Sequence, residues 1–371
     1  MIYSAYYRAN KGCDMLKIRE KYKYSMVCLT SMGVRITPMD RMTVQSGNMF
    51  RMQSTSAETN VLNVSASLGE QCLALTKFVK GSPIADFIKS ELRRRGISYM
   101  GAEVEPDGPW GVRHQFNIAD QGFGMRAPRV WNDRAGEVGR FIDAGDYNLD
   151  EIFEQDGVAI LHLSGLIAAM SPQTAKACLE VARKARSSGT LISFDLNFRE
   201  SFWEGREEEL SNVFSELTSL ADILIGNEED YQKCLGIKGP EKLTGLMDQV
   251  DSFKNMIEQA KVEFPNVKVF ATTLREVISA NKHLWGAIMN CDNEWYIEQP
   301  REIEIMDRIG GGDAFTGGLL YGVLKGFAPE QILKFGWGCG VLVTGSLNDY
   351  AEPVDEKQIR DIYEGNARVQ R

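Results

Sequence analysis

Met306-Asp-Arg-Ile-Gly-Gly-Gly-Asp-Ala-Phe-Thr-Gly-Gly318 runs directly into the apolar stretch Leu319-Leu-Tyr-Gly-Val-Leu324. Three consecutive glycines, 310 to 312, open backbone geometries closed to other residues and keep side chains away from a ligand. The apolar run predicts a helix beginning near Asp313, so that loop amides and the helix N-terminus converge on one point. Such a point attracts anions, phosphate in particular. Asp313 beside it can accept a proton from an attacking hydroxyl. A turn followed by an ordinary N-cap is the alternative, and this stretch alone does not choose between them.

Upstream, residues 157–163, 191–195, 223–226 and 268–272 are short apolar runs separated by amphipathic helical patterns. Buried strands alternating with helices imply a mostly parallel sheet with helices on both faces, an α/β/α sandwich. Residues 26–36 read as a first strand ending at Pro38. Val61, Val64 and Leu68 recur at helical spacing and stop at Gly69; residues 72–79 read as a strand and 84–95 as a helix ended by Gly96. Between 97 and 135, segments such as 112–118 and 129–132 lie between Gly and Pro, the pattern of a small β element inserted in a larger body. Residues 38–53, mixed polar and Met-rich, join that insert. Their methionines are expected to fill the core, with adaptable packing at a lid or dimer interface as the alternative. Residues 1–24 show no period and are expected to form an extension outside the domain of 25–371.

The 371 residues carry 51 acidic and 42 basic side chains, a formal charge of −9. That balance excludes nucleic acid and anionic membrane as main partners, because backbone phosphates demand a cationic surface. Seven dispersed cysteines and three histidines form no metal or disulfide framework. The N-terminus is polar and basic without an apolar core, so a cytoplasmic, reduced protein is expected. His114 is expected at the surface and His162 hydrogen-bonded near the core.

The stretch Asp307-Arg-Ile-Gly-Gly-Gly-Asp313 resembles the second signature of the PfkB (ribokinase-like) carbohydrate kinases, D-T-x-G-A-G-D, and its Arg-Ile form is similar to the 2-keto-3-deoxygluconate kinase branch. Other matches follow in order. Phe194-Asp-Leu-Asn-Phe-Arg199 resembles a strand-end motif of that branch, and Asn227-Glu-Glu-Asp230 stands where the family has N-x-x-E. Ala271-Thr-Thr-Leu-Arg-Glu276 resembles a nucleotide-side loop, and Asn366-Ala-Arg-Val369 the branch's tail.

The resemblance implies a ribokinase-like three-layer fold with a small β lid, and an ATP- and Mg²⁺-dependent kinase acting on a sugar or sugar acid, most simply 2-keto-3-deoxygluconate. Asp313 would be the catalytic base, and the amides of Gly310, Gly311, Gly312 and Asp313 an anion hole for the transferring phosphoryl group. Asn227 with Asp230, or Glu229 in place of the shortened acid, would organise Mg²⁺ through water. A helix cap is the alternative for Asn227 and Asp230. Arg199 would hold an acidic sugar, its fork matching a carboxylate. Thr273 and Arg275 would lie near the ATP phosphates or ribose, and Asn60 and Arg134 would contact the sugar. Lid sheets of two subunits would pair in a homodimer, covering an exposed edge.

Departures concentrate on the acceptor side. The branch has Gly-Gly before Ala-Glu-x-Asn-Val, where this chain has Thr55-Ser56. Its first strand ends in Gly-Glu, here Thr30-Ser31, and its Asp-Arg-Ala-Gly-Ser-Ala is here Asp133-Arg-Ala-Gly-Glu-Val138. Arg113 and Asn132 stand where the branch tends to have lid tyrosines. Three readings follow: a kinase of the branch's substrate, a kinase for another sugar such as fructose or ribose, and a nucleotide-binding scaffold without turnover.

Overall fold

A computed structural model describes residues 16–239 and 245–367. Its strands, in chain order, are β1 (Tyr24–Leu29), β2 (Gly33–Pro38), β3 (Phe50–Thr55), β4 (Cys72–Val79), β5 (Ile97–Val104), β6 (Gln115–Asp120), β7 (Arg129–Asp133), β8 (Val158–Ser164), β9 (Leu191–Asp195), β10 (Ile223–Ile225), β11 (Val269–Ser279), β12 (Lys282–Cys291) and β13 (Glu294–Glu304). The helices are α1 (Ala57–Ser67), α2 (Pro83–Arg94), α3 (Gly165–Ala169), α4 (Pro172–Ser187), α5 (Glu200–Trp203), α6 (Glu207–Leu220), α7 (Glu228–Leu235), α8 (Leu246–Glu263), α9 (Gly311–Leu324), α10 (Pro329–Thr344) and α11 (Glu356–Glu364).

Nine strands form the main sheet in the order β13-β12-β11-β10-β9-β8-β1-β4-β5. From β11 to β5 every pairing is parallel; β12 and β13 are added antiparallel at one edge. Along β1, Val27 and Leu29 enter one apolar cluster, with α4, α6 and α8, while Met26 and Cys28 enter the other, with α1, α9 and α10. A strand buried on both faces must read as a continuous apolar run, and so the period-2 signature disappears from the sequence. No described helix is long and apolar enough to cross a membrane.

A second sheet, ordered β3-β2-β6-β7, packs beside this body. The structure divides the single strand expected over 26–36 into β1 in the main sheet and β2 in the small one. Both halves are buried, so hydropathy gives no hint of the corner at Thr30–Met32. The expected insert over 97–135 begins later than read, because β5 is the edge strand of the main sheet, paired with β4. The expected extension is also shorter at its C-terminal end. Leu16 and Ile18 pack on the core, Arg19 Nη1 donates to the Phe153 carbonyl at 2.6 Å, and Tyr24 pairs with Val158. Residues 1–15 of that expectation lie outside the described residues. His114 is buried rather than at the surface, its ring bonded to the Met32 carbonyl and the Val79 amide. His162 is buried against Ser193, as expected, and burial pushes its pKa down to about 3.

Candidate active site

One cleft, about 580 Å³, opens where the C-terminal ends of β9, β10 and β11 meet the N-terminus of α9. Parallel strands direct their following loops to the same end of the sheet, so residues distant in sequence collect there. Asn60, Arg199, Asn227, Glu229, Asp230, Thr273, Arg275, Gly310, Gly311, Gly312 and Asp313 all line this cleft.

The three glycines answer three different demands. Gly310 has φ +84°, and a Cβ there would lie 1.9 Å from the Asp349 carbonyl oxygen. A Cβ on Gly311 would sit 2.2 Å from the Trp285 ring, whereas one on Gly312 would meet nothing within 4 Å. The loop is held from behind, because Asp307 Oδ1 accepts the Ile309 amide at 3.0 Å. First-turn amides of α9 lack helical acceptors and are left facing the cleft.

Asp313 accepts a 2.9 Å hydrogen bond from Asn60 Nδ2. Burial, reinforced by the nearby carboxylates of Asp349 and Glu58, pushes its pKa up to about 7, against the opposing pull of Asn60 and Arg199. A carboxylate of that pKa is matched to taking a proton at neutral pH. Asn60 is placed by α1, whose N-cap Ser56 accepts the Thr59 amide at 3.1 Å. Asn60 Oδ1 is buried without a partner.

Arg199 caps α5 and donates to the Phe198 carbonyl, with no acid paired to it among the described residues. Its charge is felt by Asp195, Asp230 and Asp313. Asp195, at the end of β9, is buried near two other acids, which holds its carboxyl well above the usual range.

In the acidic turn after β10 the helix-cap alternative is the arrangement formed. Asp230 accepts the Phe198 amide at 3.0 Å and the Asn227 amide at 2.8 Å, and Asn227 Oδ1 accepts the Asp230 amide at 3.1 Å. Asp230 and the Asn227 side-chain oxygen Oδ1 therefore form a capping box on α7, with one backbone amide on each Asp230 oxygen. Glu228, absent from the sequence reading, has Oε1 buried without a partner, and burial raises its carboxyl. Glu228 and exposed Glu229 are thus the acids free to face a Mg²⁺, which binds few carboxylates and keeps its waters. No group of three or more metal-ligating side chains occurs among the described residues.

Arg134 is not brought to the cleft. Its Nη1 binds both oxygens of Glu137, at 2.8 and 2.9 Å, and its guanidinium lies 5.2 Å from the Phe202 ring centre. Two further lining residues escaped the sequence reading. Arg308 faces the cleft beside Arg275, and neither has an ion-pair partner among the described residues; the Arg275 pKa is lowered by burial and by the Arg308 charge. Asp349 accepts Gln53 Nε2 at 2.9 Å and Thr55 Oγ1 at 2.6 Å, so Thr55 acts as a donor to an acid of the cleft wall. Only Arg308 had a sequence signal, its place inside the glycine stretch; Asp349 sits in a turn with no motif.

Residues 43–356 match the model of the pfkB family carbohydrate kinase. A 2-dehydro-3-deoxygalactonokinase of Haloferax volcanii is 23% identical over 342 residues, covering 91% of this chain and 96% of that protein. A 2-dehydro-3-deoxygluconokinase of Thermoproteus tenax is 22% identical, covering 88% and 90%. The crystal structure of 2-dehydro-3-deoxygluconokinase from Thermotoga maritima superposes with a TM-score of 0.83 at 26% identity, over 92% of this chain and 100% of the other.

Proposed function

This chain belongs to the pfkB family of carbohydrate kinases, and we propose that it transfers the γ-phosphoryl group of ATP to the primary hydroxyl of a 2-keto-3-deoxy sugar acid such as 2-keto-3-deoxygluconate. The observation that carries this reading is Asp313, with a pKa of about 7, sharing one cleft with the unpaired guanidinium of Arg199. Arg199 binds the acceptor's carboxylate, and Asp313 takes the proton from its attacking hydroxyl. Asn60 Oδ1, buried and unpartnered, accepts from an acceptor hydroxyl. Loop amides at Gly311, Gly312 and Asp313 meet the charge that spreads over the transferring phosphoryl oxygens. Thr273, Arg275 and Arg308 hold the nucleotide's phosphates. Mg²⁺ neutralises phosphate charge when bound, and Glu228 and Glu229 orient its waters.

A kinase for another sugar is the second reading, favoured by the Thr55 hydroxyl on Asp349, which fills space that the Gly-Gly form leaves open. The test is ADP release from Mg-ATP with 2-keto-3-deoxygluconate, 2-keto-3-deoxygalactonate, fructose, ribose, tagatose and no sugar. Turnover limited to the keto-deoxy acids is expected. Turnover on a neutral sugar alone would overturn the substrate assignment.

We further propose a homodimer through the small sheet, in a reducing, cytoplasmic setting. Met39, Met42, Met49, Phe50, Met52, Val130 and Trp131 are exposed on or beside that sheet. The exposure of these methionines runs against the core filling expected of them and supports a surface role. Cys28, Cys72, Cys178, Cys234 and Cys339 are buried thiols, as a reducing compartment allows.

A further inference from the structure

Arg35 is a charged side chain on β2 of the small sheet, yet only 1% of its surface is exposed. Its Nη2 is ion-paired with Asp307, equally buried, while Nε and Nη1 have no partner. Gln121, just past β6, donates through Nε2 to the same Asp307 oxygen at 3.2 Å. Through its other oxygen Asp307 holds the Ile309 amide, at the entrance to the glycine loop. From β3, Gln53 and Thr55 both donate to Asp349, whose carbonyl lies against Gly310. Two strands of the small sheet, and the residue that follows a third, thus reach the phosphate loop through Asp307 and Asp349.

Burying an ion pair costs about as much desolvation as it recovers, so stability alone gives little reason to keep one here. We propose that Arg35 is a positioning residue: through Asp307 it couples the small sheet to the glycine loop, so that the loop amides are aimed at the transferring phosphoryl only when the sheet is seated. This rests on the kinase reading for its catalytic consequence, but not for the coupling itself.

The test is Arg35→Met, which keeps length and removes the charge. With the acceptor found above, kcat is expected to fall on the order of 10²-fold, as for a small misplacement of reacting groups, while KM for ATP stays near the wild-type value. Added guanidinium ion restores part of kcat. The double variant Arg35→Met/Asp307→Asn loses no more than the worse single, because the two act as one unit. Amide hydrogen exchange at 309–313 rises in Arg35→Met with the central strands unchanged. Gln121→Leu, which leaves the ion pair in place, gives the same pattern more weakly and serves if Arg35→Met does not fold. Wild-type kcat in a variant of lowered Tm, or additive losses in the double variant, would overturn the proposal. Should no acceptor react with wild-type protein, the kinase reading falls separately, and unchanged exchange at 309–313 still decides against the coupling.

Discussion

Ser31 Oγ donates a 2.6 Å hydrogen bond to Glu137 Oε1, joining the end of β1 to the turn after β7, and both side chains are buried. In sequence these positions look like two separate losses, a missing Glu at 31 and a missing Ser at 137. In space they face each other in one hydrogen bond, so an exchange of hydroxyl and carboxylate between the two positions would keep the pair. Glu137 also neutralises Arg134. Glu137→Ser should therefore destabilise by roughly 3 kcal/mol, since it leaves a mostly buried guanidinium unpaired. Ser31→Glu/Glu137→Ser should recover much of that loss. Thermal denaturation of both singles and the double is the check, and additive changes would contradict the exchange.

As the proposed base, Asp313 would work only when deprotonated. With its pKa raised to about 7, kcat/KM should rise with pH and level off above neutrality. Asn60→Leu removes a hydrogen bond that favours the carboxylate, and should move the acidic limb of the profile to higher pH. A pH–rate profile of both proteins measures this, and identical limbs would remove Asn60 from that role.

Asp313→Asn should lower turnover by about 10²–10⁴-fold and leave ATP binding nearly intact. The same variant should be more stable than wild type at pH 8. A carboxyl whose folded pKa exceeds its unfolded value binds more protons when folded. Its contribution is thus fully favourable below about pH 4 and is lost as pH rises through about 7. Denaturant titrations at pH 5 and pH 8 should show the advantage of Asn at pH 8, on the order of 2–4 kcal/mol at most, shrinking at pH 5.

Thr55→Gly should alter the ranking of acceptors in the turnover panel, because it removes a side chain of the cleft wall together with its bond to Asp349. Thr55→Val keeps nearly the same volume. It should preserve the ranking and cost about 1 kcal/mol of stability for the lost bond to Asp349. If both variants shift the ranking in the same way, hydrogen bonding rather than volume sets the preference; if neither shifts it, Thr55 does not set the preference.

Arg199→Lys should raise KM for acidic acceptors about tenfold or more, as a forked, charge-assisted contact is lost, with neutral acceptors unaffected. Steady-state kinetics on one acid and one neutral sugar separate the cases.

Local chemistry written into consecutive residues was legible in the sequence. The glycine stretch at 310–312, Asp313 behind it, the strand-end Arg199 and the alternation of apolar strands with helices all depend on near neighbours, and all meet at the one cleft. The break between β1 and β2 was not legible, because two strands buried in different sheets share one apolar signature. Strands β12 and β13 were also missed, lying past the last run read as a strand. The choice among the acids of 228–230 was only half legible: a cap on Asn227 and Asp230 was offered, but not the unpartnered Glu228. Capping Asp230 and freeing Glu228 depends on the Phe198 amide, which comes from a loop 32 residues away.

Sequence by itself determined the fold class and the family and pointed to Asp313 as the candidate base, because these rest on patterns of near neighbours. Tertiary structure alone decided which polar groups are already satisfied and which remain to meet a ligand. Arg134 is taken up by Glu137 and Asp230 by backbone amides, whereas Asn60 Oδ1, Glu228 Oε1 and the guanidinium groups of Arg199, Arg275 and Arg308 stay available to the cleft. A hydrogen bond is settled by distance and direction in space, and residues such as Asp349 and Thr55, 294 positions apart, come within reach only when the chain has folded.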